Sequence, residues 1–289
     1  MTRGPRASVI RMNPTIAQAL ATAALAPVDA RVLLRHALGV DAAWLIAHDR
    51  DALTSAQRER FEAAVARRRA GEPVAYITGT REFFGLEFAV TPAVLIPRPE
   101  TELLVEWALE QIAPDANARV LDLGSGSGCI AISIARARPR VRVIAIDCAA
   151  AAIEVARTNA QRHRAVNVEF REDDWFSGLA GWRFELIVAN PPYIAAGDPH
   201  LAAGDLRFEP ATALAAGADG LDAIRLIVAA APQYLQPGGW LAFEHGYDQA
   251  PQCRELLAQA GFSQVFSRKD LAGIERISGG CLDAMKRNS

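Results

Sequence analysis

Apolar residues recur at helical spacing through the first quarter of the chain. From Ala30 to Leu38 they fall on one side of a helix. A second helix is predicted after Thr54, because Gln57 three positions later would complete a capping box. Arginines at 67–69 and then Gly71 predict its end. We interpret the arginines as a solvated end matched to the helix dipole, and the whole segment as a small all-α domain.

The pattern changes after these helices. Residues 82–90 alternate around Gly85, which predicts a short hairpin, and prolines follow at positions 92, 97 and 99. This stretch is interpreted as a connector. The chain is therefore divided into a helical domain at 1–80, a hairpin linker at 81–98 and a third segment at 99–289.

From Arg119 onward, short apolar runs alternate with Ala-rich helical stretches. Such runs are typical of parallel strands buried on both faces, with helices covering the sheet. The predicted fold class is α/β, with a mostly parallel sheet and an antiparallel terminal strand. The predicted strands are Val120–Leu123, Val141–Ile146, Val168–Phe170, Phe184–Ala189, Trp240–Glu244, Val265–Ser267 and Ile274–Ile277.

The composition is that of an ordinary globular protein, with 51% hydrophobic and 22% charged residues among 289. The formal net charge of −2 lacks the basic excess of most nucleic-acid binding proteins, so no direct nucleic-acid partner is expected. The four cysteines have no metal-type spacing. We expect free thiols in a reducing cytosol and no bound metal.

The start of the chain can imitate a secretory signal, because Arg3, Arg6 and Arg11 precede an Ala-rich stretch. Polar residues and a proline between positions 13 and 22 interrupt the apolar run, and Met12 is an alternative start. No run approaches the ~20 apolar residues that a membrane-spanning helix needs. We therefore expect a cytoplasmic protein without a membrane partner.

A glycine-rich loop joins the first predicted strand of the sheet to a helix. Glycines there allow a sharp turn and the close approach of a ligand. The next strand ends at Asp147, where a carboxylate can accept both hydroxyls of an adenosine ribose. Loop and acid predict a nucleoside-cofactor site at the carboxyl edge of the sheet. The loop is Gly124-Ser125-Gly126-Ser127-Gly128.

Two cofactors compete for this site. Residues 126–131 match the dinucleotide fingerprint GxGxxA. The arrangement Asp-Leu-Gly-Ser-Gly-Ser-Gly at 122–128 instead resembles the first motif of class I methyltransferases, which implies S-adenosylmethionine. After the third strand, Asp173, Asp174 and Trp175 offer acids and a ring that could hold the adenine. An exposed turn with a core tryptophan explains them almost as well.

The fourth strand runs into Asn190-Pro191-Pro192-Tyr193. Two prolines make this corner rigid. An amide nitrogen is a poor nucleophile, and a site that accepts both of its hydrogens would aim it at a methyl donor. The Asn190 side-chain oxygen and the Pro191 carbonyl suit that role, and Tyr193 can pack on the planar group. We predict Asn190, Pro191 and Tyr193 to be catalytic, and Pro192 to join them in binding substrate. A proline-rich turn is the alternative.

The corner and the loop together resemble two families, the adenine-N6 DNA methyltransferases and the protein glutamine methyltransferases of the HemK/PrmC type. Six further segments favour the second family, and the resemblance runs from about residue 28 to about residue 277. The stretch Cys281–Ser289 departs from the family's pattern. The six segments are residues 71–79, 81–83, 95–102, 198–201, 204–210 and 244–246.

This resemblance implies a class I, Rossmann-like methyltransferase domain preceded by a helical domain that docks the substrate. It implies methyl transfer from S-adenosyl-L-methionine, leaving S-adenosyl-L-homocysteine, to the glutamine N5 of the Gly-Gly-Gln motif in bacterial peptide chain release factors. A monomer is expected. The resemblance carries cofactor binding onto Gly124 to Gly128, Asp147, Trp175 and Asn190, and substrate binding onto residues 190–193.

Other functions stay open at this point. They are adenine-N6 methylation of nucleic acid, glutamine methylation of a ribosomal protein, nicotinamide-dependent oxidoreduction, and cofactor binding without turnover. The near-neutral net charge disfavours methylation of nucleic acid. The intact Asn190 corner disfavours cofactor binding without turnover. His200 and His245 are assigned no chemistry, because lone histidines in loops are more often structural.

Overall fold

The computed structural model describes residues 13–283 of the chain. Contacts divide the chain into two units between Thr78 and Gly79. The early arginines at 3, 6 and 11, the alternative start Met12 and residues 284–289 lie outside the described residues. No helix in the described range is both long and apolar enough to cross a membrane.

The described part of the first unit is built from helices around one small core. Leu33 and Leu34 are fully buried and pack with Phe61, Val65 and Ile77. Isolated helices of this length are marginal in water, so the shared core stabilises them. The helices are α1 (Ile16–Thr22), α2 (Pro27–Leu38), α3 (Ala42–Ala47), α4 (Ser55–Arg69) and α5 (Val74–Thr78).

Helix α4 begins and ends as predicted. The Gln57 N–H donates to Thr54 Oγ1, and the Thr54 N–H donates to Gln57 Oε1, which confirms the capping box. At the other end, Arg68 Nε donates to Asp29 Oδ2 at 2.8 Å, and Arg69 donates to the carbonyl oxygen of Ala23. The arginines therefore tie α4 to the α1–α2 region as well as matching the helix dipole.

The second unit begins with the predicted hairpin, which is confirmed. Strands β1 (Thr80–Phe83) and β2 (Leu86–Ala89) pair antiparallel, and the two turn residues have positive φ. Such two-residue turns match the right-handed twist of paired strands. On helix α8 (Ala150–His163), Asn159 forms hydrogen bonds with both the N–H and the carbonyl of Ala89. The hairpin is thereby attached to the second unit.

The described part of the second unit contains a seven-stranded sheet in the order β5-β4-β3-β6-β7-β9-β8. All seven predicted strands are confirmed, and so is the antiparallel end of the sheet. Because the chain continues to opposite sides of β3, a crevice forms beyond its carboxyl end. The parallel strands are β3 (Arg119–Leu123), β4 (Arg142–Asp147), β5 (Val168–Glu172), β6 (Phe184–Ala189) and β7 (Leu235–Glu244), and the antiparallel strands are β8 (Phe262–Lys269) and β9 (Glu275–Leu282).

Helices cover both faces of this sheet. Val120 faces one core and Leu121 faces the other, and both are fully buried. This explains why the central strands read as continuous apolar runs. Helices α6 (Glu102–Gln111), α7 (Cys129–Ala137) and α8 cover one face, and helices α9 (Asp222–Ala230) and α10 (Ala250–Gln259) cover the other.

Candidate active site

Polar residues follow four neighbouring parallel strands at one edge of the sheet. The glycine-rich loop follows β3, Asp147 ends β4, Asn190 follows β6, and Glu244 ends β7. Carboxyl ends of parallel strands meet at a common edge, which is where ligands bind in such sheets. A cavity of about 140 Å³ lies at this edge, and the glycine-rich loop, Asp147 and Asn190 line it.

The glycine-rich loop wraps tightly around the end of β4. Gly124, Gly126 and Gly128 all have positive φ, and the N–H groups of Gly124 and Ser125 both donate to the Ile146 carbonyl at 2.9 Å. Residues 124–127 line the cavity. Ser125 Oγ is buried and has no hydrogen-bond partner among the described residues, so it is available to a polar ligand.

Gly128 is placed differently from the rest of the loop. It does not line the cavity. A Cβ atom there would lie 3.0–3.2 Å from side-chain atoms of Ile132, Phe170 and Ala156. With its φ of +80°, this glycine is required by helix–sheet packing and backbone conformation.

Asp147 both shapes the loop and lines the cavity. Its Oδ2 accepts from the Gly126 N–H at 2.8 Å, and its Oδ1 accepts from the Ala149 N–H at 2.9 Å. A carboxylate has about four acceptor positions, so two remain for ligand hydroxyls. The arrangement suits a ribose, because the acceptor is already held in place by the backbone.

Trp175 is placed both as a core residue and as a possible contact for the cofactor, the two roles that its sequence position allows. Its ring packs against the core under α9 and α10 and also lines the cavity with Asp173 and Asp174. Its φ is +50°, a conformation that costs a bulky residue about 1–2 kcal/mol. Backbone strain of this kind is common at functional sites.

The Asn190 corner is connected to a buried carboxylate by hydrogen bonds. Asn190 Nδ2 donates to Thr101 Oγ1 at 3.1 Å, and that hydroxyl donates to Glu244 Oε2 at 2.6 Å. The Tyr193 hydroxyl donates to Glu244 Oε1 at 3.0 Å. Asn190 Oδ1 is buried and has no partner among the described residues. This oxygen is the end of the network that remains for a ligand.

Burial changes the proton affinity of two groups in this network. Burial raises the pKa of Glu244, and the hydroxyl donors Thr101 and Tyr193 oppose that shift. Burial and the neighbouring Glu244 raise the pKa of Tyr193, so its hydroxyl stays protonated and donates. The hydrogen bonds of the network therefore orient Asn190 and Tyr193 around Glu244.

The segment that carries Thr101 is fixed to the loop after the corner. The Ile96 N–H donates to Glu209 Oε2 at 3.1 Å, and the Arg98 guanidinium pairs with the same carboxylate. Glu209 is buried. The corner loop also folds back on itself, with Ile194 bridging to Ala215. These contacts place residues 96–101 beside Asn190.

A second cavity of about 50 Å³ shares Asn190 with the first. Tyr193, Ile194 and Leu206 help to line it. Pro192 lines the larger cavity, and Pro191 is buried and lines neither. Asn190 therefore borders both cavities.

The sequence patterns assign no role to Thr101, Glu209 or Glu244, although each lies in a segment that resembles the family. A detectable signal existed for Glu244. Like Asp147, it is an acid that directly ends a buried parallel strand. Thr101 and Glu209 gave no such signal, because their partners are distant in the sequence.

The two histidines that were assigned no chemistry, His200 and His245, lie in different surroundings. His245 is fully buried, its Nδ1 faces the Gly246 carbonyl, and its Nε2 lies 2.9 Å from Ser278 Oγ. Burial lowers its pKa, which favours the neutral ring. His200 is exposed beside Asp198. Within residues 13–283, no group of three or more His, Cys, Asp or Glu side chains is arranged to hold a metal ion.

Comparison with protein families finds two matches along the chain. Residues 15–79 match the PrmC N-terminal domain, and residues 99–264 match the methyltransferase small domain. The second match covers the cavity-lining loops described above and agrees with the predicted class I methyltransferase fold.

Similar proteins span nearly the whole chain. The release factor glutamine methyltransferase of Burkholderia pseudomallei is 55% identical, covering 93% of this chain and 96% of that protein. The protein of the same name from Bordetella pertussis is 54% identical, covering 91% and 97%. A solved 16S rRNA methyltransferase of T. thermophilus, in complex with AdoMet and guanosine, has a TM-score of 0.52 at 21% identity, covering 70% of this chain and 49% of that one. The last likeness concerns the fold alone.

Proposed function

Because this chain belongs to the release factor glutamine methyltransferase family, we propose that it methylates the side-chain amide nitrogen of a glutamine in peptide chain release factors. The observation that carries the proposal is the Asn190 side chain. Its oxygen is buried and unpartnered among the described residues, at a point that two cavities share. We further propose that the glutamine is that of the Gly-Gly-Gln motif.

The cofactor proposed for the larger cavity is S-adenosylmethionine, which supplies an electrophilic methyl group when bound. The chain offers Asp147 for the ribose hydroxyls, Trp175 for the adenine, and residues 124–127 as a close-fitting backbone wall. Ser125 Oγ, buried without a described partner, adds a polar contact. This set fits a nucleoside, because it offers a fixed acceptor for the ribose hydroxyls and a ring for the base.

The corner residues would bind and orient the substrate amide. Asn190 Oδ1 is suited to accept an amide hydrogen, which would direct the nitrogen toward the larger cavity. Pro191, whose carbonyl was predicted to accept the second hydrogen, lines neither cavity. Rigid placement of a poor nucleophile can lower a reaction barrier by several kcal/mol. The Tyr193 ring borders the smaller cavity and would pack against the planar group.

No titrating base is part of this proposal. The carboxylate of Glu244 lies behind Thr101 and Tyr193 and accepts both of their hydroxyl hydrogens. The amide would lose its proton to water after methyl transfer, when the nitrogen is cationic and strongly acidic. Orientation and acceptor bonds are therefore the contributions assigned to the protein.

For the helical unit we propose a role in docking the release factor, with residues 81–98 as the linker and 99–289 as the methyltransferase domain. Among the described residues of that unit, Val28 and Ile46 are 66% and 78% exposed. Burial of these side chains against a partner would contribute to binding.

Mass spectrometry of a purified release factor, after incubation with this protein and S-adenosylmethionine, tests the function. We expect one added methyl group on the Gly-Gly-Gln glutamine. The matched control is Asn190→Ala, which should still bind cofactor but lose activity by about 100-fold, as when one oriented hydrogen-bond partner is removed. Wild-type protein that binds cofactor but leaves the release factor unmodified would contradict the proposal. A ribosomal-protein glutamine and then adenine in nucleic acid would be tested next.

A further inference from the structure

We propose that Thr101 and Glu244 are positioning residues that fix the direction in which Asn190 presents its side-chain amide to the substrate. The inference rests on the proposed function, because it concerns how the same corner selects an N–H donor. Neither Thr101 nor Glu244 would contact the reacting atoms. It begins from the buried chain of hydrogen bonds from Asn190 through Thr101 to Glu244.

A side-chain amide can occupy its site in either of two directions. Its oxygen and nitrogen ends have nearly the same shape but opposite hydrogen-bonding roles. The Thr101 hydroxyl alone cannot choose between them, because a hydroxyl both donates and accepts. If Thr101 donated to Asn190, the NH2 group would face the substrate, and the corner would reject another amide N–H.

Glu244 removes this ambiguity. The hydroxyls of Thr101 and Tyr193 favour the ionised form of Glu244, which only accepts hydrogen bonds. Its Oε2 lies 2.6 Å from Thr101 Oγ1. The single hydroxyl hydrogen of Thr101 is therefore directed at Glu244. Thr101 Oγ1 can then only accept from Asn190, which must turn Nδ2 toward it at 3.1 Å. Oδ1 is left on the opposite side.

The second carboxylate oxygen acts on the other substrate-facing residue. Glu244 Oε1 accepts from the Tyr193 hydroxyl at 3.0 Å. One buried acceptor thus sets the orientation of two groups that border the smaller cavity. Thr101 and Glu244 are 2% and 1% exposed, so water does not compete for these bonds.

The consequence for specificity is a preference between two similar side chains. A corner that presents Oδ1 accepts the N–H groups of glutamine. It places a lone pair against either oxygen of glutamate, which has no hydrogen to offer. Sites that leave a buried polar group unpaired discriminate strongly against the unpaired ligand. We assign the preference for glutamine over glutamate to the hydrogen bonds that run from Asn190 through Thr101 to Glu244.

Thr101→Val tests the inference, because it removes the hydroxyl and nearly keeps the shape. We expect kcat to fall about tenfold or more, the size of effect of one lost oriented hydrogen bond, with cofactor affinity within about twofold of wild type. Thr101→Ser, which restores a hydroxyl, should recover most of the activity and guards against a variant that simply misfolds. Thr158→Val, on the surface of α8, is the matched control and should change nothing.

Two readouts separate positioning from general stability. In an Asn190→Ala background, Thr101→Val should cost almost nothing further, since its effect acts through Asn190. In 15N-labelled protein, the Asn190 side-chain amide hydrogens should exchange slowly in wild type and quickly in Thr101→Val. The second readout needs no substrate, so it decides the inference even if release factor is not methylated. Full additivity in the Asn190→Ala background, or slow exchange that survives Thr101→Val, would overturn it.

Discussion

Asp122 illustrates how one residue can support the site without lining it. The residue is fully buried on β3, and its Oδ2 accepts from the Ala131 N–H, in the first turn of α7, at 3.1 Å. Gly128, at the N-cap of that helix, has no side chain to do this. The Asp122 carboxyl group therefore provides the hydrogen-bond acceptor that the first turn of α7 needs, and this stabilises the end of the glycine-rich loop.

The same burial makes Asp122 a source of pH-dependent stability. Burial raises its pKa to about 7, the Ala131 N–H opposes the shift, and Asp147 adds to it. A raised carboxyl pKa means that the folded state keeps a proton which the unfolded state has already lost. Stability should therefore fall as pH rises from about 4 to about 7, by about 1.4 kcal/mol per pH unit at most, and then level off.

Urea unfolding of wild type and Asp122→Asn at pH 5, 6, 7 and 8 measures this. The variant keeps an acceptor for Ala131 but cannot ionise. We expect its free energy of unfolding, relative to wild type, to rise between pH 5 and 7 and to change little above. The difference between the two proteins cancels the other titrating groups. A difference independent of pH would contradict the assignment.

At the scale of elements, helix α8 joins the hairpin to the glycine-rich loop through one side chain. Asn159 Oδ1 accepts from the Ala89 N–H at 2.7 Å, and its Nδ2 donates to the carbonyls of Ala89 and Ser127 at 3.0 and 2.9 Å. The residue is fully buried. Residues 93–95, 97 and 98, which follow the hairpin, line the cavity with the loop, so Asn159 connects the loop to the strand that leads into the other wall.

Asn159→Ala should therefore affect both stability and cofactor binding. We expect a loss of about 3 kcal/mol in the free energy of unfolding, because three buried partners lose their bonds, and an affinity for S-adenosylmethionine about tenfold weaker. Asn167→Ala is a matched control. Asn167 also donates to three carbonyls, those of residues 135, 138 and 141, which do not line the cavity.

Unfolding curves and calorimetric titration with the cofactor provide the measurement. The control should lose stability and keep its cofactor affinity. Equal affinities in the two variants would show that the α8 contact does not position the loop.

Elements were predictable from the sequence where local patterns govern them. The central strands are continuous apolar runs because both faces are buried, and α4 carries its own cap. Strand β7 begins at Leu235, five residues before its predicted start at Trp240, because Pro237 and two glycines hide a bulged stretch from a pattern search. Thr101 and Glu244 could not be paired in advance, since 143 positions separate them.

At the scale of the whole molecule, the two units have separate cores. One described core contains only residues of the helical unit, and the two others contain only residues beyond position 79. Separate cores of this kind are typical of domains that fold independently. The proposed division of labour between docking and chemistry can therefore be tested by separating them.

A fragment of residues 79–289 should fold and bind cofactor. We expect its KM for release factor to rise at least about tenfold with little change in kcat, as when binding contacts remote from the reaction are removed. A short Gly-Gly-Gln peptide should be methylated equally by fragment and full chain, because it cannot use the helical unit. Circular dichroism and cofactor titration verify the fold. An unchanged KM for intact release factor would contradict the docking role.

The long sequence separations around Asn190 also have a kinetic consequence. Its contacts with Thr101, and those of Thr101 with Glu244, span 89 and 143 positions. We expect contacts that close such long loops to form late in folding, because the entropy of loop closure opposes them. Newly made or refolding chains would thus acquire helices, strands and a glycine-rich loop before they acquire an ordered corner. Recovery of methyl transfer, rather than of secondary structure, would mark the moment at which the molecule is complete.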